Sequence, residues 1–249
     1  MSIIRCCSAI VFAPLVCAII AGFFRNQIGK VGAHTVTIAG VALSFVFSIG
    51  LALSFVNGSA GVTSYNLYTW ASGGEVFPYA FHIGFLIDPL TVVMLLVVTF
   101  VSLLVHIYSI GYMADDSGYQ RFFSYISLFT FMMLMLVTAN NFLQLFFGWE
   151  GVGLVSYLLI GFWYHKESAI QGSLKAFIVN RVGDFGFILG IGLVLVYVGS
   201  LDYSQVFGSA EILASANIEI FNGHAWSVVT VICLLLFVGA MGKSAQVPL

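Results

Sequence analysis

The chain has 249 residues, 61% of them hydrophobic and only 7% charged, with a net charge of −2 and a mean hydropathy of +1.07. That balance excludes an ordinary soluble domain, in which about a quarter of the residues are charged. The eight basic residues are scattered rather than gathered in a stripe, which excludes a nucleic-acid-binding surface.

A helix crosses a bilayer with about 20 mostly apolar residues. Seven segments meet that length: 7–24, 35–56, 89–111, 121–139, 142–164, 173–199 and 225–247. The first is read as a membrane helix rather than a signal peptide, because Arg25 and Lys30 follow it and no small-x-small cleavage site does. The predicted fold is all-α and polytopic. The second connector, residues 57–87, is long, rich in Gly, Ser and Tyr, and free of Lys and Arg, whereas the fourth, at Asn140 and Asn141, is barely a turn. Asp88-Pro89 reads as an N-cap followed by proline at the first helical position. In the sixth connector, residues 201–213 suit a short surface helix, with Asp202 and Ser204 as caps. Cys6, Cys7, Cys17 and Cys233 lack the spacing of a zinc or iron-sulfur site and read as apolar filler.

Bases fall in alternate connectors: Arg25 and Lys30 in the first, Arg121 in the third, Lys166 and Lys175 in and after the fifth. The positive-inside rule places those connectors on the cytoplasmic or matrix side and the N-terminus on the other, despite Arg5.

Ionisable side chains inside the apolar segments carry the functional signal, since each costs about 2.5–3.5 kcal/mol to insert at mid-bilayer. Glu150 stands in Phe146-Phe147-Gly148-Trp149-Glu150-Gly151-Val152-Gly153, eight residues into the fifth segment. That is about 12 Å below the surface at 1.5 Å per residue. The neighbouring glycines leave room for a helix or water. The alternative is a carboxyl hydrogen-bonded between helices. Arg181 and Asp184, three apart on the sixth segment, share a face and can neutralise each other, as a relay or as an ion pair that merely lets the helix cross. Lys175 lies near the end of that helix, where it can snorkel to the surface. Lys243 lies deep in the seventh segment, five residues before Pro248, so the helix is expected to break beside it, as helices do around ion sites. His106, at the end of the third segment, has a side chain suited to proton relay or to a hydrogen bond at the interface.

If Glu150 and Lys243 approach to about 7 Å, their attraction at an effective dielectric of about 20 is roughly 2.4 kcal/mol. That is close to the cost of burying one of them, and amounts to about a 60-fold change in the lysine's proton affinity. Glu150 modulating Lys243 is thus the expected relay.

These motifs, with residues 84–91, His106-Ile107-Tyr108-Ser109-Ile110-Gly111-Tyr112-Met113, residues 144–154 and 175–184, and Gly242-Lys243-Ser244-Ala245-Gln246, resemble the L-subunit family of NADH-quinone oxidoreductase, respiratory complex I. The resemblance covers nearly the whole chain. It implies a proton-translocating subunit in which Glu150 matches the family's key glutamate and Lys243 its central lysine, with Asp184 and Arg181 as charge partners. It implies no cofactor in this chain, with NADH, FMN, iron-sulfur clusters and quinone in partner subunits. Other membrane subunits of the complex, above all a neighbouring antiporter-like subunit, are the implied partners. Residues 1–120 correspond to helices 1–3 with the long extracytoplasmic loop, and 121–249 to the start of the first antiporter-like repeat. Ending at Leu249 within the broken seventh helix, the sequence is expected to represent an incomplete antiporter-like fold. The implied location is the bacterial inner membrane, or alternatively the mitochondrial one. Rival readings are the large subunit of a multisubunit sodium/proton antiporter and a non-pumping assembly piece.

Overall fold

Pro14 lies inside the first helix, α1 (Ile3–Phe23), where its missing N–H leaves the Ile10 carbonyl without its intrahelical partner. In lipid that carbonyl needs a donor from the protein. Ser44 of α2 (Arg25–Val56) supplies it, its hydroxyl donating to Ile10 O at 2.7 Å. The same logic runs through the bundle: polar side chains turn inward and large apolar ones outward. Thr37, Ser44, Ser48, Thr99, Ser127 and Thr130 are buried, while Val93, Val97, Phe100 and Leu104 of α3 (Pro89–Tyr112) lie on the outer surface.

The computed structural model describes residues 3–73, 77–221 and 223–248. Among the described residues six helices are long and apolar enough to cross a membrane: α1, α2, α3, α4 (Tyr119–Val137), α5 (Phe142–Ile160) and α6 (Glu167–Val198). α2 is interrupted at Gly29, whose φ of 63° takes the chain round the turn before the apolar run begins. As expected, Asp88 caps α3 by accepting from the Thr91 amide at 2.7 Å, with Pro89 at the first position. α1 to α4 pack as one bundle, α5 lies between α4 and α6, and the last long helix, Val228–Lys243, packs along α6.

The long second connector forms an antiparallel hairpin, β1 (Thr63–Gly73) with β2 (Phe77–Ile87), pairing Thr63 with Ile87 and Tyr65 with Phe85. Sequence reading placed a loop there because β1 mixes Tyr, Trp and Thr with Ser and Asn and shows no clean apolar alternation. The sixth connector contains α7 (Tyr203–Gly208) and α8 (Ala210–Ser215), close to the expected surface helix. A second, unexpected hairpin follows, β3 (Asn217–Phe221) with β4 (His224–Ser227), leading into α9 (Val228–Lys243). The membrane part is thus helical, with two hairpins at one end. Leu249, where the broken seventh helix was expected to run out, lies outside the described residues.

The short turn between α4 and α5 holds this end together. Asn140 Nδ2 donates to Asn66 Oδ1 at 2.7 Å and Ser64 Oγ at 3.2 Å, and Asn141 Nδ2 donates to His82 O at 2.9 Å. Asn141 Oδ1 caps α5 through the Gln144 amide, and Gln144 Oε1 accepts from the Gly84 amide, both at 2.8 Å. The backbone also ties in the α6–α7 connection, through Phe142 N to Leu201 O and Tyr203 N to Asn140 O.

At the opposite end, Lys30 donates to Ala114 O and Arg121 to Phe162 O, so the basic connectors meet. Asp116 latches two of them, accepting from the Gly118 amide at 2.6 Å and from Trp163 Nε1 at 2.8 Å. The Trp163 indole and the Gly118 amide, with smaller help from the Arg121 and Lys30 charges, hold its carboxyl below the ordinary 3.8. A lowered value means the latch stabilises the fold above the unfolded carboxyl's pKa and is lost as pH falls through the folded one. Trp163 fluorescence, isolated by difference against Trp163→Phe, is expected to stay constant down to about pH 4 and change below it; a change centred above that range contradicts the latch. Ser44→Ala is expected to lower stability in detergent by about 0.6–1.7 kcal/mol, measured by thermal unfolding, because Ile10 O loses its donor.

Candidate functional site

Glycines let α6 and α9 approach closely. A methyl on Gly183 would stand 3.1 Å from Val238 O and 3.3 Å from Gly242 Cα, and one on Gly242 would stand 3.2 Å from Val179 O. Small residues at such seams permit backbone contact between membrane helices. On α5, Gly148 abuts the Leu136 backbone and Gly151 the Met132 side chain, so two of the glycines around Glu150 serve the α4 contact. The third, Gly153, receives the Lys243 ammonium.

Four charged side chains and one indole meet in this gap. Arg181 Nη1 forms an ion pair with Glu150 Oε2, and lies 3.8 Å from Asp184 Oδ2. Asp184 accepts from Trp149 Nε1 at 2.8 Å. Lys243 Nζ donates to Trp149 O at 3.2 Å and sits 5.5 Å from the centre of the Trp149 ring. That ring is stacked on Phe187 at 4.9 Å and 14°. Side-chain exposure falls from 41% at Arg181 and 23% at Glu150 to 6% at Asp184, so Asp184 is the acid most dependent on internal donors.

Arg181 and Asp184 do share a face and lie within ion-pair distance, as the spacing suggests, but the closer partner of Arg181 is Glu150 on α5, because the guanidinium reaches across the helix interface while the Trp149 indole donates to Asp184. Lys243 is the last residue of α9, and the chain leaves the helix at Ser244 and Ala245, the latter with φ 51°. Sixteen residues at 1.5 Å each give α9 a length of about 24 Å, short of a hydrocarbon core about 30 Å thick. Among the described residues no carboxylate lies within ion-pair distance of Lys243.

Lys175 and His106 stand apart. Lys175 is exposed on α6 and makes no ion pair among the described residues. His106 is fully buried in the α1–α4 bundle rather than at its edge; its Nδ1 lies 2.7 Å from Ser102 O, its ring meets Phe123 at 6.2 Å, and its Nε2 is buried with no partner among the described residues. Trp149 was missed in the sequence. The available signal was its N–H, which one residue from a carboxylate in an apolar helix has to find an acceptor.

Comparison with known proteins identifies the family. Residues 70–123 match the family model described as NADH-Ubiquinone oxidoreductase (complex I), chain 5 N-terminus, and residues 139–249 match NADH:quinone oxidoreductase/Mrp antiporter, TM. NADH-quinone oxidoreductase subunit L of Neisseria meningitidis serogroup A is 60% identical over 242 residues, 96% of this chain and 36% of that protein. The chain belongs to the complex I subunit L (chain 5) family. Among other subunit L family members, the Rickettsia conorii protein is 49% identical over 98% of this chain and 36% of its own length. NADH-ubiquinone oxidoreductase chain 5 of Triticum aestivum is 48% identical over 96% and 35%. The chain thus spans about a third of the length of the curated relatives it matches. The fold is shared with a chain of the membrane-bound sulfane sulfur reductase, an archaeal respiratory membrane complex, at a TM-score of 0.73 and 17% identity, over 95% of this chain and 33% of that one. In this subunit L family member Glu150, Arg181, Asp184 and Lys243 all lie in the antiporter-type region, and His106 in the chain 5 N-terminal region.

Trp149→Phe preserves the stack on Phe187 but removes the donor to Asp184. It is expected to cost about 1.5–3 kcal/mol of stability, the range for a hydrogen bond to a charged group, measured by thermal unfolding in detergent; an unchanged midpoint contradicts the contact.

Proposed function

We propose that this chain is part of a proton-translocating membrane subunit of NADH-quinone oxidoreductase, in which Glu150, Arg181, Asp184 and Lys243 form a charge-coupled relay. The observation that carries the reading is the setting of Lys243. Its ammonium sits at the end of an apolar helix too short to cross the hydrocarbon core, held by one carbonyl and a ring face, while the carboxylate of Glu150 is engaged by Arg181. Arg181 already lies between two acids. A small swing toward Asp184 unmasks Glu150, and the unmasked carboxylate favours the protonated lysine; the return swing releases the proton. Each step exchanges one electrostatic partner for another in a low-dielectric site, so small movements carry several kcal/mol.

Arg181 retains substantial exposure beside an opening of about 520 Å³ lined by Phe177, Ile178, Val182 and Phe185. A guanidinium facing lipid is costly, and the greater length of the relatives supports a reading in which further helices cover this side of α6. In that reading the chain holds no cofactor. NADH, FMN, iron-sulfur clusters and quinone belong to partner subunits, a neighbouring antiporter-like subunit lies alongside, and proton transfer is driven by the distant quinone chemistry. The basic connectors face the bacterial cytoplasm, or the mitochondrial matrix, and the N-terminus the opposite side. The family description for residues 139–249 includes Mrp antiporters, which favours a second reading as the large subunit of a sodium/proton antiporter. Sodium-dependent exchange without NADH distinguishes it.

The test is Glu150→Gln in the full-length protein within its complex, reconstituted in liposomes. At a matched rate of NADH oxidation, the initial rate of proton uptake is expected to fall at least about tenfold, equivalent to about 1.4 kcal/mol or more on the barrier to transfer. Unaltered uptake rejects the relay.

A further inference from the structure

The basic end of the bundle holds a feature that the relay does not use. Arg25 at the start of α2, Ser117 and Gln120 beside the start of α4, Arg121, and Tyr164 after α5 line a polar cavity of about 170 Å³. α4 begins at Gly118 without a side-chain cap, so the amides of its first turn add to the positive potential there. Arg121 is short of partners. Its Nη2 donates to Phe162 O at 3.2 Å and its charge lies against the Phe162 and Tyr164 rings, but its Nε is buried with no acceptor among the described residues. It forms no ion pair among the described residues. The nearest acid, Asp116, has its two oxygens engaged by the Gly118 amide and the Trp163 indole.

Arg121 and Tyr164 also line a second cavity, of about 380 Å³, which runs between the ends of α4, α5 and α6 over Tyr125, Tyr157, Leu158 and Ile170. A cationic pocket at the basic end of the bundle therefore shares a wall, Arg121 and Tyr164, with a largely apolar groove between the helices. A ligand that fits both halves has a phosphate anion at one end and hydrocarbon at the other.

We propose that this cleft binds an anionic phospholipid, its phosphodiester between Arg25 and Arg121 and an acyl chain in the groove over Tyr157 and Leu158. Charge and level agree: basic pockets between membrane helices on the positively charged side attract anionic head groups at about 1 kcal/mol per base. Trp163 and Tyr164 supply aromatic side chains of the kind found at the interface. The lipid would bridge the start of α2, at Arg25, to the α5–α6 connector, which Arg121 of α4 touches through its hydrogen bond to Phe162 O and its ring contacts.

The full-length protein in detergent is incubated with phosphatidylglycerol, phosphatidylcholine or inorganic phosphate, and retained lipid is counted by native mass spectrometry alongside thermal unfolding. Phosphatidylglycerol is expected to be retained and to raise the unfolding temperature, with phosphatidylcholine weaker and phosphate without effect. Arg25→Gln, a change at an exposed side chain with no hydrogen bond or ion pair among the described residues, is expected to lower phosphatidylglycerol affinity about fivefold. Arg25→Gln/Arg121→Gln is expected to abolish the preference over phosphatidylcholine. Equal retention of both lipids, an unchanged affinity in Arg25→Gln, or the same stabilisation by phosphate alone overturns the proposal. So does retention of neither lipid, the result if another protein segment fills the groove.

Discussion

Charge balance inside oil is the constraint on which the rest of this structure depends. Two carboxylates and two cations meet among α5, α6 and α9, and their formal charges cancel. Any one of them alone would carry an insertion cost of about 2.5–3.5 kcal/mol. Together they are tolerable only if the helices approach closely, which the glycines at 153, 183 and 242 permit. The glycine seam and the charge cluster are thus one feature: the small residues exist where the charged ones need to meet.

Backbone satisfaction is the second constraint, and the chain meets it with side chains rather than water. Ser44 restores the donor that Pro14 removes, and Ser127 and Ser124 of α4 donate to Pro14 O and Ala18 O on α1. These contacts fix α1, α2 and α4 against one another and provide the rigid wall on which α5 leans. Through α4 that wall reaches α5, which carries Trp149 and Glu150 of the charge cluster.

Much of this was legible in the sequence because membrane helices are read from a single strong signal. Segment lengths, the capped start of α3 and the four central charges follow from hydropathy and the cost of burying charge. The hairpins were not legible. Their strands carry no clean alternation, and the first hairpin is anchored by Asn140, Asn141 and Gln144, which are remote in sequence. The partner of Arg181 was hidden for a related reason: spacing along one helix reveals Asp184 but is silent about what a neighbouring helix presents. His106 shows the opposite limit, since position in the segment gave its depth but not its place inside the four-helix bundle.

The turn at Asn140 and Asn141 links the hairpin, the α6–α7 connection and the first turn of α5, using side-chain amides and main chain alike. One extra residue between this knot and Trp149 would rotate the rest of α5 by about 100°, carrying Glu150 from the guanidinium toward the acyl chains. A change of length on the far side of the knot, in the long connector rather than the helix, leaves that angular phase untouched.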